Sequence, residues 1–314
     1  MRKITLAIYC LFLYLGIAAQ STVLVLRTSG QVQYYAYDGA RPVVLSPGME
    51  LALQGRLQCK GAGTAKLICN GSTFTVAGSN AVSIQELVKP ATKASQMTFA
   101  GRFFTFLAES IKGGNSQRDL EKHHEHYMDK VRGGIKGWGL QSHAIKPLLL
   151  ATGKLPAASV AFTWRKTAGQ GPYTFQLLAE NGVLVAQVLT RDTIVTLDLD
   201  QLALQLGEAY SWQVSRGENA KSAAIPFELS NINVKDRQAE LAKEPAFQSA
   251  DPLEQQLMLA YQLEQEKCFY NANYIYQQLL SAEPDNVLLN KMYATYLARL
   301  DMLGEAQTVL LAPH

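Results

Sequence analysis

The sequence lacks a charge of one sign: 29 Lys and Arg stand against 26 Asp and Glu over 314 residues. Arg2 and Lys3 sit at the extreme N-terminus, and 29 less these two leaves 27 against 26. No basic stripe is expected, and nucleic acid is excluded as a partner. The sets that carry chemistry are missing too. There is no GxSxG elbow, no Walker loop and no CxxC pair, and "KGAGTAK" lacks the GK[ST] that cradles phosphate. Histidine is scarce, at five, and His123, His124 and His126 crowd into "EKHHEHYMDK". Helical metal sites want ligands one turn apart, as in HExxH. Only His123 and His126 approach that spacing, and the Glu between them is out of the base position. A solvated polar linker is expected there, with adventitious zinc or copper the alternative. Asp198 and Asp200 alternate onto one strand face, where facing water is expected and weak calcium binding is the alternative. No catalytic residue, metal site or cofactor is expected; the chain reads as a non-enzyme.

Long apolar runs are missing except one. "MRKITLAIYCLFLYLGIAA" has a basic head and then about sixteen apolar residues, Ile4 to Ala19, short for a membrane span and suited to a secretory leader cleaved near Ala18–Ala19. Export is expected, to the periplasm, the cell surface or the medium, with no transmembrane span after cleavage; an uncleaved anchor is the alternative. Of four cysteines Cys10 lies in that leader, leaving Cys59, Cys69 and Cys268. Glycines between the first two suggest a turn near residues 61–64. A hairpin centred on Thr64 would bring Cys59 and Cys69 together, as a disulfide in an oxidising compartment or as two packed thiols. Cys268 is odd and reads as packed.

The rest changes texture four times. Residues 21–88 form short runs such as "TVLVLRT", "QVQYYAY", "AKLICN" and "STFTVAG", separated by glycines, which predicts an all-β roll or sandwich. Residues 89–150 carry one Phe-rich stripe, Phe99, Phe103, Phe106, Leu107 and Ile111, at helical spacing. Its expected use is docking on a neighbouring module; a membrane or partner surface is the alternative. The following polar, Gly-punctuated stretch reads as a linker carrying one short helix, so that 89–150 is a helical and linker segment, its Gly113–Gly114 and Gly133–Gly134 pairs as hinges. Residues 151–232 return to β alternation in six or seven runs, with a hairpin signal at Asn181–Gly182. From 236 to 314 the chain is helical.

Trp164 in "FTW" and Tyr210 in "LGEAYSWQV" give the middle stretch a pattern that resembles the fibronectin type III family, which implies a β-sandwich and is silent on ligand. Shifting the tail by 34 residues places Ala260 on Ala294, Leu263 on Leu297, Phe269 on Leu303, Ala272 on Ala306 and Tyr276 on Leu310, with Pro284 closing the first unit. This resembles the tetratricopeptide repeat family, in units 253–286 and 287–314. Gln256 where the family favours Trp, and Leu279 in place of a small residue, are the departures. The resemblance implies a groove lined by the first helix of each unit, presenting Leu257, Tyr261 and Glu264, then Lys291, Thr295 and Arg299. Two units are fewer than the three usual in an isolated array. "KDRQAELAKEPAFQ" is therefore expected to cap them, or the repeats to lean on the β-module or on another chain.

Gly48, Leu51, Gly55, Leu57 and Gly71 in "LSPGMELALQGRLQCKGAGTAKLICNG" give the N-terminal module a resemblance to the extracytoplasmic domain of the FecR family. That family places a cytoplasmic segment and a membrane span before this domain. The chain shows neither, so only the module is expected to carry over. The overall expectation is a multi-domain β + α protein of bacterial origin, a scaffold or adaptor binding a protein or peptide of the cell envelope through its repeats. One alternative is an envelope sensing component. Another is a carbohydrate- or peptidoglycan-binding protein in contact with the cell wall through Trp138, Trp164 or Trp212.

Overall fold

A computed structural model describes residues 23–69, 72–88, 98–134, 145–168, 171–217 and 220–311, with side chains of the 98–134 stretch followed to 128. Residues 1–22 with Cys10, and Asn70, Gly71, Trp138, His143 and His314, lie outside the described residues. Chain contacts divide the molecule into two compact units, up to Glu109 and from Ser110 onward. Both sheets and helices are present, a mixed α and β fold.

The first unit is built on two long antiparallel strands, β1 (Val23–Tyr35) and β4 (Arg56–Cys69). The short strands β2 (Val43–Val44) and β3 (Glu50–Leu51) pair with β1, while β5 (Ser72–Ala77) and β6 (Val82–Ser83) pair with β4. Helix α1 (Ile84–Leu87) follows. Val23, Val25, Val32, Leu57, Leu67 and Val76 share one core with Tyr34, whose hydroxyl accepts from Ala52 N–H at 2.9 Å.

The expected turn at 61–64 is not a turn. Two β1 steps, from Gln31 to Ser29, are matched by four β4 steps, from Lys60 to Thr64, so the extra residues form a bulge inside a continuous strand. Gly30 (φ 65°) and Gly61 (φ 59°) take left-handed backbone there, which glycine adopts without a Cβ penalty. Cys59 and Cys69 therefore lie at different points of one strand instead of facing each other across a hairpin. Each is buried, and Cys59 Sγ contacts Val76 O at 3.7 Å. At Gly30 a Cβ would stand 3.0 Å from Gly63 Cα as well as requiring positive φ. Gly30→Ala is expected to destabilise this unit by more than about 1 kcal/mol, read as a fall in urea midpoint; an unchanged midpoint would place the bend elsewhere.

Helix α2 (Phe99–Gly113) carries the Phe-rich stripe. Phe103, Leu107 and Ile111 are buried, Phe104 joins them, and Phe99 and Phe106 are only half-buried. The expected linker after it is instead an 18-residue helix, α3 (Gln117–Gly134), opened by Ser116, whose Oγ accepts from Asp119 N–H at 3.1 Å.

In the second unit a sheet β11-β10-β13-β15-β8 faces a sheet β12-β9-β7. These are β7 (Pro147–Leu148), β8 (Gly153–Pro156), β9 (Ser159–Trp164), β10 (Tyr173–Ala179), β11 (Leu184–Thr190), β12 (Ile194–Asp198), β13 (Ala209–Arg216) and β15 (Ile225–Ser230); β14 (Ala220–Lys221) extends β13. Phe162 on β9 meets Phe175 at 5.1 Å and Trp212 at 5.5 Å from the opposite sheet, filling the space between layers with aromatic area. Asn181–Gly182 turns β10 into β11, with Gly182 at φ 80° and Asn181 Oδ1 accepting from Val183 N–H.

Six helices close the chain: α4 (Val234–Leu241), α5 (Pro245–Gln248), α6 (Pro252–Gln265), α7 (Phe269–Ala282), α8 (Val287–Arg299) and α9 (Leu303–Leu311). Helix α6 starts on a capping box, Asp251 with Glu254, and has Pro252 in its first turn. The pairs α6–α7 and α8–α9 pack around Ala260, Ala272, Ala294 and Ala306, all fully buried. The 34-residue offset extends to the backbone. Lys267 (φ 63°) and Asp301 (φ 58°) both take the left-handed turn position. Cys268 N–H donates to Leu263 O at 2.8 Å, as Met302 N–H does to Leu297 O at 3.0 Å.

These helices lean on the sandwich. Lys154 N–H donates to Lys267 O at 2.8 Å, Ala161 N–H to the Tyr270 hydroxyl at 3.1 Å, and Arg165 grips Glu305 with two bonds of 2.9 and 2.6 Å.

Candidate functional site

The sequence places six groove residues on α6 and α8. The structure draws them together, but into the interior. Leu257, Tyr261, Glu264, Thr295 and Arg299 are buried, and Lys291 is half-buried. An open binding face is thus not what these positions form. At their centre is an ion pair between α6 and α8. Arg299 Nε donates to Glu264 Oε2 at 3.0 Å, and Nη2 reaches both carboxylate oxygens at 3.0 and 2.9 Å. The Tyr276 hydroxyl on α7 adds a bond to Glu264 Oε1 at 2.8 Å. Planar bidentate pairing of this kind suits arginine and not lysine.

Burial pushes the Glu264 carboxyl above the usual carboxylate range, opposed by the Arg299 guanidinium and the Tyr276 hydroxyl. For Arg299, burial works against the charged form and the neighbouring Glu264 carboxylate more than compensates, so its pKa is raised. Both carboxylate oxygens accept from one guanidinium, the geometry of a bidentate pair. Burial drives the Tyr276 and Tyr296 phenols well above their ordinary value, so both remain donors: Tyr276 to Glu264, and Tyr296 to Phe269 O at 2.6 Å.

The cover over this centre comes from the stretch that reads as a linker. Helix α3 packs along α8 and α9. It runs in the direction of α8: Asn115 Oδ1 accepts from Lys291 Nζ at 2.6 Å, His123 Nε2 lies 3.5 Å from Arg299 Nη1, and His124 Nε2 lies 2.9 Å from Asp301 Oδ1. Against α9 the direction is reversed, with Gln307 Nε2 donating to Glu121 at 3.2 Å. The Ser110 hydroxyl, at the end of α2, accepts from Arg299 Nη1 at 3.2 Å. A small hollow of about 280 Å³ remains where the starts of α3 and α8 meet the end of α9, lined by Asn115, Gln117, Asn290, Lys291 and Leu311 among others.

The histidines are thereby assigned. His123 faces Arg299, His124 faces Asp301, and His126 is exposed. Among the described residues no three His, Cys, Asp or Glu side chains are placed to hold a metal ion. Burial opposes the Asp301 carboxylate, but the His124 bond and the Lys146 charge outweigh it and hold its pKa below the ordinary value. Trp164 and Trp212 are core residues, and the Trp212 indole N–H donates to Ala151 O at 2.7 Å, so neither offers a face for stacking sugars. Asp198 accepts from Asp200 N–H at 3.3 Å on an exposed turn. Sequence reasoning missed Ser110, His123, Tyr276 and Asp301 as members of this centre. The available signal was one acid and one base, Glu264 and Arg299, near equivalent positions of a repeat.

Cys268 is buried beside Glu266, and burial first, that carboxylate second, pushes its thiol up to about 12. In protein lacking residues 1–19, thiol reagents at pH 8 are expected to modify Cys59 and Cys268 only on unfolding, because the thiolate is the reactive form and burial raises both thiols. Rapid labelling of either thiol in the native protein would contradict this.

No protein-family model matches the chain. No curated protein matches it either.

Proposed function

We propose that this chain is an exported bacterial scaffold without enzymatic activity, which binds a protein partner of the cell envelope through its C-terminal helical repeats. The observation that carries this reading is the 34-residue recurrence of sequence and backbone together, down to the same left-handed turn at Lys267 and Asp301. It supports the resemblance to tetratricopeptide repeats, whose physical use is to present a helix-lined face to a peptide or helix. The sandwich before them supports the fibronectin type III resemblance: Tyr210 hydroxyl accepts from Gln205 N–H at 2.8 Å, the backbone tie that a tyrosine makes at the corner of such sandwiches. The β-module of residues 21–88 fits the FecR-like reading as a spacer or docking unit. In this reading α3 is the resident occupant of the repeat face, and Lys291 is the half-buried cation at its rim.

Affinity capture from envelope extracts tests it, using the full chain and Lys291→Glu, both confirmed folded by circular dichroism. Loss of a specific partner in the variant is expected. Identical capture by both proteins removes the repeat face from the binding function.

A further inference from the structure

We propose that β11 is a self-pairing edge: two copies of this chain join β11 to β11, antiparallel, about a two-fold axis at Gln187. One sheet then runs through both sandwiches. The pairing does not rest on the repeat-mediated binding proposed above, and it uses the end of the sheet farthest from the repeats.

Among the described strands of the second unit, β11 is the one edge with neither cover, charge nor proline. At the other end of its sheet β8 is covered, its Lys154 N–H donating to Lys267 O. In the facing sheet β7 is two residues long and begins with Pro147, while β12 carries Asp198 and follows Asp192. The two-residue β14 ends on Lys221. Prolines and charges of this kind deter edge pairing. β11 runs for seven uncharged residues and pairs on one side only, with β10. Val183, Leu184, Leu189 and the nearby Ile194 are all exposed, Leu189 to 68%. An apolar open edge is the form of strand that takes a further strand beside it.

What this edge presents is symmetric about Gln187. Against β10, Gln187 stands opposite Gln176, Leu189 opposite Thr174, and Leu184 opposite Leu178. The register shift at Val185 absorbs one residue, so the two leucines lie equally far from Gln187, one on each side. Opposed residues share a face, and Thr174, Gln176 and Leu178 alternate with the inward Tyr173, Phe175 and Leu177, so this is the outer face of the sheet. A second copy turned about Gln187 therefore sets Leu184 of one chain against Leu189 of the other, twice. A row of amides leads to the axis. Gln213 Nε2 donates to Gln176 Oε1 at 2.9 Å, and Gln176 Nε2 donates to Gln187 Oε1 at 3.0 Å. The row reaches the edge with the Gln187 amide, whose nitrogen has two donors and whose oxygen has two lone pairs. Two such amides face to face can donate to each other and carry the row into the second copy.

Self-pairing also demands a neutral strand, because a two-fold axis sets every charge near its own copy. Charges resume only outside β11, at Glu180 on one side and at Arg191 and Asp192 on the other. The symmetric placing of Leu184, Gln187 and Leu189 favours a second copy over a foreign strand, which would have no reason to share that symmetry. Pairing of this isologous kind consumes both open edges and stops at a dimer. β8, where the repeats attach, stands four strands away from β11, about 19 Å. Both repeat arrays therefore stay clear of the axis, and under the function proposed above the dimer would bind its partner bivalently.

Sedimentation velocity of the full chain, over a concentration series reaching about 100 μM, tests the pairing. A monomer–dimer equilibrium is expected. Because residue 187 meets itself on the axis, Gln187→Lys and Gln187→Glu should each weaken the dimer about tenfold or more by setting like charges opposite each other. Mixing the two variants should restore it. Gln187 is exposed, so neither change touches the core, and circular dichroism checks the fold. Should those variants misfold, Leu189→Lys, which sets an ammonium against Leu184, should weaken the dimer in the same way. A chain that stays monomeric throughout, a dimer indifferent to either charge at 187, or variants that do not pair on mixing overturns the proposal. A monomer from which Leu189→Lys removes a captured envelope protein also overturns it, and gives the edge to a foreign strand. No partner enters the sedimentation series, so its outcome is independent of the capture experiment on the repeats.

Discussion

Arg299→Ala is expected to lower the unfolding free energy of the C-terminal unit by about 3–5 kcal/mol, the usual cost of removing one partner of a buried ion pair. The loss is large because Glu264 stays behind, buried, with only the Tyr276 hydroxyl to solvate its charge. Glu264→Ala should cost a similar amount by stranding the guanidinium, which would retain the Ser110 hydroxyl and the His123 ring as neighbours. Replacing both at once, Glu264→Leu with Arg299→Met, should recover most of the loss, since packed apolar residues of like volume often equal a buried pair. Arg299→Lys should not recover it, because an ammonium cannot make the planar double bond to the carboxylate. Urea unfolding followed by far-ultraviolet circular dichroism distinguishes these cases. A single-variant cost below about 1 kcal/mol would mean that water reaches the pair.

Trp212→Ala carries the second large expectation, about 3–5 kcal/mol lost from the same unit. The side chain is fully buried, meets Phe162 edge-on at 5.5 Å and stacks on Phe175 at 6.1 Å, so its removal opens a cavity between the two sheets. Trp212→Phe keeps most of the apolar area but leaves Ala151 O without its indole donor, at a cost of about 1–3 kcal/mol. Since the helical repeats lean on this sandwich through Arg165–Glu305 and Lys154–Lys267, both variants should shift sandwich and helix unfolding together. Tryptophan fluorescence and helical ellipticity recorded on one urea series would show this. Separate midpoints would mean that the sandwich and the repeats unfold independently.

Some elements were legible because their determinants are local. Asn181–Gly182 specifies a tight reversal through its own backbone preferences, and the reversal is there. The 34-residue recurrence of small residues marks helix seams that only small residues permit, and those alanines are fully buried. Other elements were misread where burial is not written as apolar periodicity. Helix α3 has one fully buried apolar side chain among its first twelve residues, so its pattern is that of a polar linker. Its reason for being ordered lies about 177 positions away, in Lys291, Arg299 and Asp301. The run from Arg56 to Cys69 looked like two strands around a turn because glycine serves a turn and a bulge equally well; only pairing with β1 selects the bulge.

The sequence by itself determined the alternation that makes the strands, the capped starts of the helices, and the repeat that pairs α6 with α7 and α8 with α9. Each of these depends on neighbours within a few residues or on a fixed period. Tertiary structure alone decided the fate of the candidate groove. Whether Glu264 and Arg299 face a partner or each other depends on what lies over them, and that is a helix from far upstream in the chain. Repeat position can mark a residue as belonging to a shared face, but it carries no information on what occupies that face.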